Sequence, residues 1–274
     1  DDIKLVLYCL DPSKYLQEDI NKVYSTILFS ATLPPMDYYQ DALLGEHNYE
    51  RLLLPSPFPR ENFKLLLAPK VSVRYKDRES SYATVACYLK RFVEAKIGNY
   101  FIYFPSYEYM NKIVPFLDFP DAEVLMQNKD MSEDDKADFL SQFNENPKFT
   151  TVGLLVLGGA FSEGIDLVSD RLIGVAIVGI GFPMVCYENE IIRKYQDLTS
   201  GHGFSFAYMD PGMNKVMQAV GRLIRSETDI GSALLIDDRY MQEGYRNLFA
   251  SNWEGYDVVL SPNEVSEELS SFYK

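Results

Sequence analysis

The sequence predicts an α/β fold, a mostly parallel sheet covered by helices on both faces. Short runs rich in Val, Ile, Leu and Phe alternate with longer stretches of helical spacing along the whole chain, the pattern left by repeated strand–helix–strand crossovers. Several of these runs are apolar at nearly every position, residues 172–178 (Leu-Ile-Gly-Val-Ala-Ile-Val) being one, which suits strands buried on both faces. The runs end in loops of Gly, Ser, Thr and Pro, the residue types found where open α/β sheets bind ligands.

Taken in order, residues 3–10 alternate loosely as a strand closed by Asp11-Pro12, and residues 25–29 form a second, β-branched strand leading into Ser30-Ala31-Thr32-Leu33-Pro34-Pro35. A proline-rich loop at 54–59 precedes a strand at 63–68. Residues 80–96 have helical spacing, with Tyr82, Val85, Ala86, Leu89, Phe92 and Val93 inward. A strand at 100–104 runs into Pro105-Ser106-Tyr107 and a helix to about residue 117. A strand at 122–126 is followed by an acidic helix at 131–143, capped near Ser132. The apolar strand at 149–157 enters Gly158-Gly159-Ala160-Phe161-Ser162-Glu163-Gly164-Ile165-Asp166. After the β-rich run to Gly179, helices are expected at 187–198 and 205–225, a strand at 233–236, another near Val258 and a helix at 262–273.

Composition narrows the chemistry. The 274 residues are 47% hydrophobic and 24% charged, enough to build a core. No apolar run reaches membrane-spanning length and no signal segment opens the chain, so no membrane partner is expected. Cys9, Cys87 and Cys186 lie far apart without a C-x-x-C pair, and His47 and His202 are isolated. No metal site follows from these, and a reducing, cytoplasmic setting does. The Asp1-Asp2 start points to a piece of a longer polypeptide. A net charge of −14 opposes long-range attraction to polyanions, but cations are segregated: Arg60, Lys64, Lys70, Arg74, Lys76 and Arg78 face only Glu61, Asp77 and Glu79 across 60–79.

The most informative stretch is Gln218-Ala219-Val220-Gly221-Arg222-Leu223-Ile224-Arg225. Read as one helix, it places Gln218, Arg222 and Arg225 on a shared face and Met217, Val220 and Ile224 inward. Two guanidiniums and an amide so arranged suit phosphate, since each guanidinium is a fixed fork of charged donors. Glycines near Glu163 and Asp166 would let backbone N–H groups approach a ligand. At Ser30 and Thr32, a helix cap and a ligand-contacting loop are both open readings. Gly179-Ile180-Gly181 lacks the third glycine of a dinucleotide fingerprint, and Pro183 follows at once.

Four segments in chain order, Ser-Ala-Thr-Leu at 30–33, Phe-Pro-Ser-Tyr at 104–107, Ser-Glu-Gly-Ile-Asp at 162–166 and Gln-x-x-Gly-Arg-x-x-Arg at 218–225, resemble motifs III, IV, V and VI of superfamily 2 helicases. More narrowly, the chain resembles over nearly its whole length (1–274) the second motor domain of the XPD/DinG family of DNA helicases. The resemblance implies a RecA-like fold and ATP-driven translocation on single-stranded DNA, 5′ to 3′. It makes Arg222 and Arg225 arginine fingers for the γ-phosphate, with Gln218 positioning water or phosphate. It assigns Glu163, Gly164 and Asp166 to the nucleotide and its link with the DNA path, Ser106, Tyr107 and Ser162 to DNA, and Ser30 and Thr32 to coupling. Phe104, Tyr107 and Phe161 are candidate stacking residues, with a core role competing at each and favoured at Phe104, inside a strand.

The chain has no G-x-x-x-x-G-K-[ST] loop. Leu234-Leu235-Ile236-Asp237-Asp238 imitates a Walker B strand without one, so Asp237 and Arg239 read as a structural ion pair. ATP and Mg²⁺ are therefore expected to be shared with a first motor domain of the same polypeptide, and the 274 residues alone to be inactive. The four cysteines that hold an iron–sulfur cluster in many family members have no counterpart here, so no cluster is expected in this chain. The alternative from another class is a non-catalytic RecA-like scaffold for a protein or nucleic-acid partner. The acidic balance favours it and the Gln218/Arg222/Arg225 set opposes it.

Overall fold

The computed structural model describes residues 5–30, 36–44, 49–161, 167 and 169–274, which fall into two compact units, Asp1–Leu54 with Pro183–Pro211, and Pro55–Phe182 with Gly212–Lys274.

In the first unit the described elements are helical: α1 (Ser13–Ile20), α2 (Met36–Leu44) and, later in the chain, α6 (Tyr187–Thr199) and a π turn at Ser205–Met209. The Gln17 side-chain amide of α1 donates to Leu44 O at the end of α2, 3.2 Å away. Tyr38 on α2 packs its ring against Phe206, centroids 4.5 Å apart. The strands expected at 3–10 and 25–29 do not form. Their described residues are irregular and open, with Leu7 fully exposed and Phe29 at 89%. A strand exists only where a neighbour takes its N–H and C=O groups, and no other segment described in this unit is a strand.

The second unit contains a seven-stranded sheet in the order β3-β4-β2-β5-β6-β1-β7. In chain order the strands are β1 (Phe63–Ala68), β2 (Asn99–Phe104), β3 (Ala122–Met126), β4 (Thr150–Val156), β5 (Gly174–Val178), β6 (Gly231–Ile236) and β7 (Asp257–Val258). Every pairing is parallel, with Asn99 to Phe104 of β2 opposite Thr151 to Val156 of β4. β2, β4, β5 and β6 are buried at every residue, as their continuous apolar runs require.

Alternation divides the core. Tyr100, Ile102 and Phe104 face one side with Val152, Leu154, Ala176 and Leu234. They pack there on α3 (Arg78–Val93), α4 (Tyr107–Ile113) and α9 (Pro262–Phe272). Phe101 and Tyr103 point the other way. Phe101 meets Phe143, centroids 4.9 Å apart, and Phe143 meets Phe139 of α5 (Glu133–Ser141). α5 starts with a capping box, Ser132 Oγ accepting from Asp135 N while Asp135 accepts from Ser132 N. α7 (Asp210–Val220) carries the chain from β5 to β6, burying Met213, Val216, Met217 and Val220. It ends at Val220, not at residue 225. Gly221 N still bonds Met217 O at 2.8 Å, and the next turn tightens at once, Leu223 N reaching Val220 O at 3.1 Å. A short helix, α8 (Glu243–Arg246), follows β6.

Candidate nucleotide and nucleic-acid site

Because all strands run the same way, their C-terminal ends share one edge of the sheet. Leaving β2 there, Ser106 adopts an extended backbone and its Oγ accepts from Tyr109 N at 3.2 Å, capping α4. Half-buried Tyr107 follows. Its hydroxyl accepts from Gln127 Nε2 at 2.8 Å. Gln127, 1% exposed just beyond β3, also accepts from Val156 N through Oε1 at 2.9 Å. One buried amide thus ties the Tyr107 loop to the end of β4. Sequence reasoning passed over Gln127. A glutamine after a strand looks like any loop residue, and only the β3/β4 register (Met126 opposite Leu154) brings it to Val156.

β4 ends in a tight turn, Gly159 N to Val156 O at 3.0 Å, with Gly158 at φ 77°. That left-handed backbone is one glycine adopts without a Cβ penalty. The chain then reaches Phe161, whose carbonyl accepts from the Tyr103 hydroxyl at 3.2 Å. Ser162, Glu163, Gly164 and Asp166 lie outside the described residues, and so does Thr32. Ser30 is described and exposed. Phe104 and Phe161 are fully enclosed, the Phe161 ring packing tilted against Phe139 with centroids 4.6 Å apart. Both are core, and of the three aromatic candidates Tyr107 alone keeps accessible surface.

Gln218 lies on α7, half-buried, with no side-chain hydrogen bond among the described residues. Arg222 and Arg225 follow the helix in irregular chain, and the expected shared face is not formed. Arg222 is 8% exposed, whereas Arg225 is open to solvent. Burial drives the Tyr103 hydroxyl pKa strongly upward, and the Arg222 charge pulls it back only in part. The Arg225 loop is set by Asp229, whose Oδ2 accepts from the N–H groups of Arg225 and Ser226, both at 2.8 Å.

At the end of β6, Asp237 is completely buried and receives Arg239 through Nε at 2.6 Å and Nη2 at 2.8 Å. The same guanidinium lies 4.9 Å over the Phe182 ring. Beside it Arg74 grips Asp238 with two hydrogen bonds, at 3.2 and 2.9 Å. The carboxylate of the Walker B look-alike is thus consumed by an ion pair, as the sequence suggests. Among the described residues no group of His, Cys, Asp and Glu could hold a metal ion.

Residues 89–256, from α3 to the entry into β7, match the helicase C-terminal domain family. The chain belongs to that family. Among its curated relatives are the ATP-dependent DNA helicase DinG of Photobacterium profundum, 28% identical over 82% of this chain and 33% of that protein, and the ATP-dependent DNA helicase CHL1 of Saccharomyces cerevisiae, 26% identical over 97% and 34%. A solved XPD helicase superposes with a TM-score of 0.70 at 23% identity, covering 92% of this chain and 45% of that one. The fold is RecA-like, and the domain is a helicase C-terminal domain of the XPD/DinG type. The chain spans 33 to 37% of the length of relatives such as DinG and a Methanocaldococcus jannaschii helicase. The Gln218, Arg222 and Arg225 set lies within the matched residues, with Lys215 one turn before Gln218 on α7.

Proposed function

We propose that this chain is the second half of an ATP-dependent helicase motor that moves along single-stranded DNA, 5′ to 3′. ATP and Mg²⁺ would sit between it and a first motor domain of the same polypeptide, which brings the P-loop and the metal-holding carboxylates. Arg222 and Arg225 would act as arginine fingers, stabilising the charge that develops on the transferred phosphoryl group. Gln218 would orient the attacking water or a phosphate oxygen, Glu163, Gly164 and Asp166 would connect nucleotide to DNA, and Ser30 and Thr32 would couple the cycle to movement. Tyr107 would offer its ring to a base, with Ser106 and Ser162 at the backbone. The site would work in the cytoplasm.

One observation carries this reading. Arg222 is an almost fully enclosed guanidinium whose charge is felt at the Tyr103 hydroxyl, which in turn donates to Phe161 O. An enclosed guanidinium just past α7 is a fixed positive charge of the kind that stabilises developing phosphate charge.

The test is ATP hydrolysis with and without single-stranded DNA on the polypeptide containing both motor domains, beside Arg222→Ala and the 274-residue chain. DNA-stimulated turnover that falls by about 10³-fold or more in Arg222→Ala, with the short chain silent, supports it. Turnover indifferent to Arg222 sinks the finger assignment, and DNA and nucleotide binding without any turnover would favour the scaffold.

A further inference from the structure

The helix that carries Gln218 also carries a cation that no motif includes. Lys215 lies one turn before Gln218 on the same face of α7. It is half-buried and makes no hydrogen bond or ion pair among the described residues. Its side chain lies across the turn that ends β4. A methyl group built on Gly158 would sit 3.0 Å from both Cδ and Cε of Lys215 and 3.1 Å from Nζ. One built on Gly181, just past β5, would sit 3.4 Å from Cδ. The adjacent Gly159 meets Gln127 in the same way, a methyl there lying 2.9 Å from Nε2, and Gln127 is the brace of Tyr107. Lys215, the Gly158-Gly159 turn, Gln127 and Tyr107 are therefore contiguous at the C-terminal edge of β3, β4, β2 and β5.

A lysine serving solubility would extend its ammonium into water, and one serving stability would meet a carboxylate. This one meets no carboxylate among the described residues and lies along the Gly158 turn, and burial lowers its pKa. Gly158 is exposed and carries no side chain, so a bulky anion can approach the turn closely. We propose that Lys215 is a phosphate-contacting residue, its ammonium binding a phosphoryl oxygen over the Gly158 turn. The inference rests on the helicase reading, which makes phosphate the relevant anion, supplied by the DNA backbone or by the nucleotide.

Lys215→Met keeps the aliphatic stem packed on Gly158 and Gly181 and removes the charge, while Lys215→Arg keeps the charge. Both are made in the polypeptide with both motor domains. Binding of fluorescein-labelled oligothymidylate is titrated against salt, binding of a fluorescent ADP is measured in parallel, and thermal melting is recorded. If the phosphate is DNA's, Lys215→Met weakens oligothymidylate binding, lowers its log–log salt slope by about 0.7 and leaves ADP unchanged. If it is the nucleotide's, ADP affinity falls about 10-fold or more and the salt slope stays put. In both cases Lys215→Arg retains most of the binding, and Lys215→Met melts no lower than wild type because a half-buried charge with no carboxylate partner among the described residues is gone. Wild-type binding of both ligands that Lys215→Met leaves intact, or a lowered melting temperature, overturns the lysine's role and leaves the helicase reading standing. A wild type that binds neither ligand overturns both.

Discussion

Burial of single charges separates the side chains that hold this molecule together from those held in readiness. Asp237 and Arg239 bury a carboxylate and a guanidinium against each other with two short hydrogen bonds, so each compensates the other's desolvation. Asp210, at the start of α7, has no such partner among the described residues. It is 6% exposed, and burial raises its pKa to about 6 although His202 pulls the other way. Its folded pKa lies above its unfolded one, so the native state binds the proton more tightly. The stability this gives is fully present below about pH 4 and is lost as pH rises through about 6, where folding must carry a buried carboxylate. Asp210→Asn is therefore expected to be more stable than wild type by about 1–3 kcal/mol near pH 8. It should have no advantage near pH 4. Parallel melting-temperature curves for the two proteins from acid to alkaline pH would show that Asp210 is better solvated than its burial implies.

The elements were legible wherever local pattern and tertiary demand coincide. β2 and β4 read as strands because their apolar runs are buried on both faces, and α5 because Ser132 and Asp135 close a capping box. The runs at 3–10 and 25–29 look as strand-like, yet a strand needs an edge to pair with, and sequence does not show whether one is near. α7 was overrun by five residues because the spacing of Gln218, Arg222 and Arg225 continues past Gly221, whereas the backbone turns away there. The candidate site divides likewise. Arginines in a motif announce themselves, but Lys215 and Gln127 gain meaning only from the glycine turn and the strand register that bring them together. Packing within β4 gives a prediction at this scale. A Cβ on Gly153 would lie 2.9 Å from Phe101 Cδ1 and 3.0 Å from Phe143 Cζ. Gly153→Ala should cost about 1–3 kcal/mol despite the intrinsic gain of replacing glycine in a strand. Adding Phe143→Leu should recover part of the loss, seen as a denaturant midpoint that falls and then partly returns. A single variant at least as stable as wild type would mean that the rings yield freely.

At the scale of the whole molecule the two units are built differently. The second holds a sheet in which four of the five inner strands, β4, β2, β5 and β6, are buried at every position, with apolar side chains on both faces. The described part of the first relies on short helices, and α6 buries none of its residues. Opening free energy rises with buried apolar contact and with the shielding of backbone hydrogen bonds, so protection against hydrogen exchange should differ sharply between them. Amides of β2, β4 and β5 should exchange only through global unfolding. Those of α1 and α6 should exchange at least about 10²-fold faster, a gap of roughly 3 kcal/mol in opening free energy, read by mass spectrometry of proteolysed fragments. The edge of the sheet adds a finer expectation. The Gly158–Phe161 stretch should exchange before β4 itself, because β4 is hydrogen-bonded along its length to β2 and β3 while this stretch lies beyond their ends. If the Gly158–Phe161 stretch were instead as protected as β4, the edge would be a rigid extension of the sheet. Nucleotide and DNA would then have to be accommodated by movement elsewhere, and the connection proposed between them at Glu163, Gly164 and Asp166 would lose its physical basis.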